Sequence, residues 1–131
     1  PCYDQQAVMR RYDVIAEVCD YMLELGWEAY QNDHEDATGQ FEMNWKYDDV
    51  LQTADKHSFF KFMLKSVAEK HGLRCTFMPK PFKGLTGSGC QGRAATRISR
   101  SGRWMARRTP LQMTAKSLAC RIRAAPSWVA S

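Results

Sequence analysis

The sequence predicts an α+β fold in which helices and an antiparallel β-hairpin alternate along the first ninety residues. Two segments repeat apolar residues every three or four positions, and a third segment alternates apolar and polar residues. These are the periods of an amphipathic helix and of a half-buried strand. The order is helix, hairpin, helix, strand, without an internal repeat, and 131 residues suffice for one domain.

The first predicted helix covers residues 5–25. Its apolar stripe has spacings of three and four and consists of Val8, Tyr12, Ile15, Cys19 and Met22. Gly26 follows as a left-handed stop.

Two predicted strands come next, over residues 27–33 and 40–46. The second strand alternates clearly, with Phe41, Met43 and Trp45 on one face and polar residues on the other. Because residues 35–39 have the composition of a turn and include a glycine, the two strands are expected to form an antiparallel hairpin.

The second predicted helix covers residues 53–71, with Thr53 or Asp55 as its N-cap and Gly72 at its end. Its expected buried face consists of Phe60, Met63, Leu64 and Val67. A third strand over residues 74–78 leads into a glycine-rich loop at residues 84–89.

The candidate chemistry lies at the hairpin. Glu35 and Glu42 flank the turn, and a hairpin can bring their carboxylates together. Two close carboxylates repel unless a proton or a cation lies between them, and Mg²⁺ or Mn²⁺ prefers such oxygen ligands. His34, beside Glu35, is the one histidine considered with them. The pattern alone favours a solvated polar face here, and a flexible connector for the glycine-rich loop.

Three blocks of sequence carry a family resemblance. They are Asn-Asp-His-Glu-Asp-Ala-Thr-Gly-Gln-Phe-Glu at residues 32–42, Thr-Phe-Met-Pro-Lys-Pro at 76–81 and Gly-Ser-Gly-Cys at 87–90. Their order and separation resemble the catalytic domain of glutamine synthetase. The sequence of these residues is most similar to the bacterial-type branch that includes γ-glutamylmethylamide synthetase. The resemblance covers residues 1–90 and implies part of an antiparallel half-barrel flanked by helices.

The resemblance implies an ATP-dependent ligase that joins ammonia or a small amine to the γ-carboxylate of glutamate. It implies that Glu35 and Glu42 bind the same Mg²⁺ or Mn²⁺ ion and that Gly87 lies in the segment contacting glutamate. It assigns no catalytic or nucleotide-binding residue within the chain. The parent protein is expected to be a cytoplasmic homo-oligomer of stacked rings, with an organelle as the open alternative. Thr86 replaces an asparagine that many family members have, which leaves the amine open.

The composition changes abruptly after Cys90. Residues 1–90 hold all 14 acidic residues, whereas residues 91–131 hold eight arginines, one lysine and no acid. Gln91 replaces a metal-binding histidine of the family, and nothing beyond it resembles the family. We expect residues 91–131 to be a poorly structured basic tail. From about Ala95 onward, codons read in a shifted frame could encode an amino-acid sequence similar to the family's own continuation. Our interpretation is therefore that this part of the chain is translated out of frame.

The alternative is a functional basic arm that binds nucleic acid, with Trp104 and Trp128 available for stacking. No nucleic-acid-binding module surrounds the arm, which disfavours this interpretation.

Several classes of protein are disfavoured by composition. No apolar run reaches the roughly 18 residues of a membrane span. The five cysteines form no C-x-x-C pair, which argues against a zinc ribbon or a disulfide framework and favours a reducing compartment. Because the chain starts at Pro1 and matches only part of a domain, we expect a piece of a longer protein that is inactive alone.

Overall fold

The computed structural model describes residues 2–46 and 48–89 with their side chains, and the backbone of residues 90–92, 112–113, 115–118 and 120–124. Among these residues no helix is both long enough and apolar enough to cross a membrane. The predicted α+β class is confirmed, because helices pack against an antiparallel sheet.

The N-terminal helical region is two helices, α1 (Gln5–Met9) and α2 (Tyr12–Glu24), so the prediction of one helix over residues 5–25 was wrong. At the break, Arg11 has φ −130° and ψ 17°. Its side-chain Nη1 donates to the Arg10 carbonyl oxygen at 2.9 Å, which satisfies that acceptor outside the helical ladder.

The buried face of α2 differs from the predicted stripe. It consists of Val14, Ile15, Val18 and Met22. Tyr12 is 57% exposed, and its assignment to the buried stripe was wrong. The break changes the helical phase between α1 and α2. A pattern of spacings that starts in α1 therefore assigns the wrong residues to the buried face of α2.

A Schellman motif ends α2 and sets the start of the first strand. Gly26 has φ +73°, and its N–H donates to the Leu23 carbonyl at 2.9 Å. The Trp27 N–H donates to the Met22 carbonyl at 2.8 Å. Trp27 therefore belongs to the helix end, and strand β1 (Ala29–His34) begins two residues later than predicted.

The predicted antiparallel hairpin is confirmed. Strand β1 pairs with β2 (Gln40–Trp45), and Asp33 lies opposite Glu42 while His34 lies opposite Phe41. A β-bulge separates Ala29 from the regular register. Gly39, at the end of the turn, has φ +75°, a conformation that glycine adopts without steric cost.

The short strand β3 (Asp48–Asp49) leads into helix α3 (Val50–Lys70). Asp49 is the N-cap, because its side chain accepts from the Gln52 N–H at 2.9 Å. The prediction of Thr53 or Asp55 as the cap was wrong, since the helix begins three residues earlier than predicted. Gly72 has φ +68° and follows the helix end, as predicted.

The remaining strands are β4 (Leu73–Thr76), β5 (Cys90–Gly92), β6 (Gln112–Met113), β7 (Ala115–Leu118) and β8 (Cys120–Ala124). The main sheet has the order β1-β2-β8-β4, with β8 antiparallel to both neighbours. The described pieces of the basic tail are thus short strands, and the rest of the predicted tail lies outside the described residues.

The core lies between the helices and one face of the hairpin. Phe41, Met43 and Trp45 are buried there, as predicted. The Trp45 and Phe60 rings have centroids 5.1 Å apart. The predicted buried face of α3 is also confirmed, at Phe60, Met63, Leu64 and Val67. Because side chains alternate along a strand, the polar residues of β2 lie on the face away from this core.

Candidate metal and substrate site

The polar face of the hairpin brings the predicted acidic pair together. Asp33 lies opposite Glu42, and the Glu35 N–H donates to the Gln40 carbonyl at 2.9 Å, one step further toward the turn. Glu35 and Glu42 are therefore diagonal neighbours on one face, a spacing that longer side chains bridge. Their carboxyl groups are close enough to share a hydrogen bond.

The environment disfavours a charge on both carboxylates at once. Burial is the largest influence, and together with the hydrogen bond to Glu35 it raises the pKa of Glu42 to about 7. The Asn44 Nδ2 donates to Glu42 Oε1 at 2.9 Å and acts in the opposite direction. Near neutral pH the protonated and ionised forms of Glu42 are therefore close in free energy, and a cation between the two carboxylates would favour the ionised form.

Asn44 adds an oxygen that sequence reasoning missed. The residue is 3% exposed, and its Oδ1 is buried without a hydrogen-bond partner. A buried unpaired carbonyl oxygen costs free energy, and amide oxygens are among the ligands of hard cations. Its position two residues after Glu42 on the same strand face was the available signal.

The donor set fits a hard divalent cation, although it is incomplete. It consists of two carboxylates, Glu35 and Glu42, with the Asn44 amide oxygen on the same strand face. Within residues 2–46 and 48–89, no group of three or more His, Cys, Asp and Glu side chains has the geometry of a metal site. Further ligands would come from water, substrate or other protein residues.

The glycine-rich loop lies beside the same hairpin. Gln40 is 1% exposed, and its Nε2 donates to the Gly87 carbonyl at 2.9 Å. A Cβ built on Gly87 would lie 2.6 Å from the Pro79 carbonyl oxygen, so glycine is required for this close approach. The Ser88 N–H donates to the same Pro79 oxygen at 2.7 Å. Gly87 itself is exposed.

His34 does not join the acidic pair. It is 4% exposed and lies on the core side of β1, with its ring edge-to-face with Phe41 at a centroid distance of 5.7 Å. Its Nδ1 accepts from the Asp4 N–H at 3.4 Å. Strand alternation places His34 and Glu35 on opposite faces, so adjacency in sequence was a misleading signal.

Known proteins match the part of the chain that contains this site. The family described as glutamine synthetase, catalytic domain, matches residues 1–92. A glutamine synthetase of Rhizobium leguminosarum bv. phaseoli is 90% identical over 90 residues, which are 69% of this chain and 21% of that protein. A glutamate–methylamine ligase of Methyloversatilis universalis is 40% identical over 89 residues, 68% of this chain and 20% of that protein.

Two solved structures agree with the fold. One, described as apo GmaS without ligand, has a TM-score of 0.67 and 76% sequence identity. The match covers 69% of this chain and 21% of the chain in that structure. The other, a GmaS/ADP complex, has a TM-score of 0.65 and 73% identity, over 70% of this chain and 21% of its own.

The chain belongs to the glutamine synthetase family, whose catalytic domain it matches over residues 1–92. It spans about a fifth of the length of the curated relatives that it matches.

Proposed function

We propose that this chain is part of an ATP-dependent ligase that joins ammonia or a small amine to the γ-carboxylate of glutamate. In this proposal Glu35 and Glu42 hold one Mg²⁺ or Mn²⁺ ion, and Gly87 lies in the segment that contacts glutamate. The observation that carries the proposal is the acidic pair itself, two partly buried carboxylates on one face of the hairpin, where a cation would relieve their repulsion.

Each residue has a distinct part in this chemistry. When bound, the metal neutralises phosphoryl charge and orients the reactants. Glu35 and Glu42 supply anionic oxygens for it, and Asn44 holds the Glu42 carboxylate through its 2.9 Å hydrogen bond. The exposed backbone around Gly87 offers polar groups to glutamate at close range. None of these residues transfers a proton to substrate in the proposal, so no catalytic residue is assigned.

The amine and the setting of the parent protein belong to the same proposal. Relatives of this chain include both a glutamine synthetase and a glutamate–methylamine ligase, so ammonia and methylamine are the two acceptors to compare. ATP is the proposed co-substrate. The proposed parent is a cytoplasmic homo-oligomer of stacked rings, and the free thiols of Cys2, Cys19 and Cys75 suit a reducing compartment.

A Mn²⁺ titration tests the site. We expect the 131-residue chain to bind Mn²⁺, measured by the loss of the free-ion electron paramagnetic resonance signal. Glu42→Gln should weaken that binding at least about 10-fold, because it removes one anionic ligand while keeping shape. Binding near pH 7 should also release protons to a pH indicator, since a cation favours the ionised form of Glu42, whose pKa is raised.

The matched control is Glu28→Gln, an exposed glutamate whose carboxylate pairs with Lys46 at 2.8 Å outside the site. It should leave Mn²⁺ affinity unchanged. If both variants bind as the wild type does, the metal assignment is wrong.

We further propose that residues 91–131 are out-of-frame sequence, with the family domain ending near Cys90. The end of the family match at residue 92 and the absence of acids beyond residue 90 support this. The nucleotide sequence across codon 90 tests it. An uninterrupted coding frame shared with other family members would contradict it and would restore the nucleic-acid-binding arm as the interpretation.

A further inference from the structure

We propose that Gln40 is a positioning residue that couples the proposed metal site to the substrate loop, so that metal and glutamate bind with positive cooperativity. The inference rests on the proposed function and extends it to a residue that is itself no ligand. The two segments that Gln40 joins are the hairpin turn, residues 35–39, and the glycine loop, residues 84–89.

The Gln40 side chain uses both ends of its amide between these two segments. Its Oε1 accepts from the Ala37 N–H at 3.2 Å, inside the hairpin turn. Its Nε2 donates to the Gly87 carbonyl at 2.9 Å and lies 3.4 Å from Ser88 Oγ. At 1% exposure the amide has no access to bulk water, so a lost partner would leave a buried polar group unsatisfied. The bond between the two segments is therefore costly to break.

A second contact joins the same two segments at their exposed side. The Thr86 hydroxyl donates to Asp36 Oδ2. Asp36 belongs to the hairpin turn and Thr86 to the glycine loop, so the segments are held at one buried and one exposed point.

The glycine loop depends on such contacts for its position. Residues 84–89 lie in no helix or strand, and the Ser88 N–H bond to the Pro79 carbonyl ties the loop to its own preceding segment. The hydrogen bond of Gln40 instead ties it to the strand that carries Glu42, and the hydrogen bond of Asp36 ties it to the hairpin turn. A change at the metal site can therefore reach Gly87 through Gln40, which lies two residues before Glu42 on β2 and donates to the Gly87 carbonyl.

The thermodynamic consequence is reciprocal. A metal ion that fixes Glu35 and Glu42 restrains the hairpin turn, and the hydrogen bonds of Gln40 carry that restraint to the glycine loop, so that glutamate loses less conformational entropy when it binds there. Metal then raises glutamate affinity, and glutamate raises metal affinity by the same factor. That factor is the quantity that Gln40 controls, whereas the ligand set controls metal affinity itself.

The experiment measures this factor in the full 131-residue chain. Mn²⁺ is titrated with and without saturating glutamate, and a chain-free titration corrects for Mn²⁺ held by glutamate itself. We expect glutamate to raise Mn²⁺ affinity at least about 5-fold in the wild type. In Gln40→Met, which keeps side-chain length but loses both hydrogen bonds, the factor should fall at least about 2-fold, with the remainder due to the contact between Thr86 and Asp36.

Because Gln40 is buried, an exposed variant guards against simple unfolding. Thr86→Val removes only the hydroxyl and should reduce the factor, whereas Thr86→Ser keeps the hydroxyl and should preserve it. Gln52→Met, an exposed glutamine on α3, is the matched control and should keep the wild-type factor. Thermal unfolding followed by circular dichroism shows that each variant is folded.

The outcomes separate the inference from the proposed function. If Mn²⁺ binds in a Glu42-dependent manner but glutamate has no effect, or the factor is unchanged in both Gln40→Met and Thr86→Val, the coupling role is wrong and the metal site stands. If Mn²⁺ does not bind, or binds regardless of Glu42→Gln, the metal site is wrong and the coupling role falls with it.

Discussion

The polar residues of β2 show what sequence periodicity can and cannot predict about single residues. Alternation correctly divides the strand into a core face and a polar face. It does not predict that Gln40 and Asn44 are as buried as the apolar residues beside them, at 1% and 3% exposure. The cover comes partly from the glycine loop, which is more than forty residues away in sequence. A pattern within one strand carries no information about such a distant neighbour.

Gly26 provides a prediction at the scale of one residue. Its φ of +73° lies in the left-handed region, although a Cβ there would have no atom within 4 Å. Gly26→Ala should therefore lower the free energy of unfolding by about 1 kcal/mol through backbone strain alone. Urea denaturation measures it, as a lower midpoint with an unchanged slope.

Gly89→Ala is the control for that substitution. Gly89 also has open space around its Cβ position, but its φ is not in the left-handed region. It should denature at nearly the wild-type urea concentration. Equal effects at both positions would show that left-handed strain is not the cause.

The contact between α2 and the end of α3 is the clearest feature at the scale of elements. Glu17 Oε1 lies 2.6 Å from Lys70 Nζ, and Glu17 Oε2 lies 2.7 Å from His71 Nε2. His71 Nδ1 lies 3.2 Å from Asp13 on the same helix as Glu17. The sequence predicts both helices, but it does not predict this contact, because the partners are 53 and 54 residues apart and no local pattern joins them.

The hydrogen bond from Lys70, followed by that from His71, lowers the pKa of Glu17 to about 2. Since this folded-state pKa lies below the ordinary value of 4.5, the stabilisation is complete above about pH 4.5 and is lost as the pH falls toward 2. Glu17→Gln should therefore melt below the wild type at pH 7, and the difference should close as the pH approaches 2.

Scanning calorimetry at several pH values measures that difference. Glu24→Gln, on the same helix, gives the general effect of removing one carboxylate, which is subtracted. A melting difference that stays constant down to pH 2 would mean that the ionised Glu17 does not stabilise the contact.

Element boundaries were predicted less well than element types, for local reasons. The cap of α3 is Asp49, which lies in a two-residue strand that has no periodicity to reveal it. The start of β1 is delayed because Trp27 completes the Schellman motif. Both errors come from hydrogen bonds at helix ends, where several neighbouring residues could serve as caps and only the folded geometry selects one.

At the scale of the whole molecule, the family was predictable because three sequence blocks carry it, whereas the complete active site was not. The chain covers 21% of a 90%-identical relative. In the proposed metal site the described residues offer two carboxylates and an amide oxygen, fewer ligands than such ions usually take.

We therefore expect no turnover from the purified 131-residue chain. Phosphate release with ATP, Mg²⁺, glutamate and either ammonia or methylamine should equal the rate without chain. A full-length family enzyme assayed in parallel confirms that the conditions are adequate. Amine-dependent phosphate release above background that is lost in Glu42→Gln would contradict the expectation.

The position of β8 has a consequence for the range of sequences that this sheet can accept as a strand. Strands β2 and β4 belong to the family-matched segment, yet they are neighbours only through β8, which lies beyond it. The ladder on either side of β8 is made by main-chain groups, which every residue except proline carries in full. The gap between β2 and β4 can therefore be filled by a strand of suitable length and direction whose sequence lies outside the family match, because the pairing depends on main-chain hydrogen bonds.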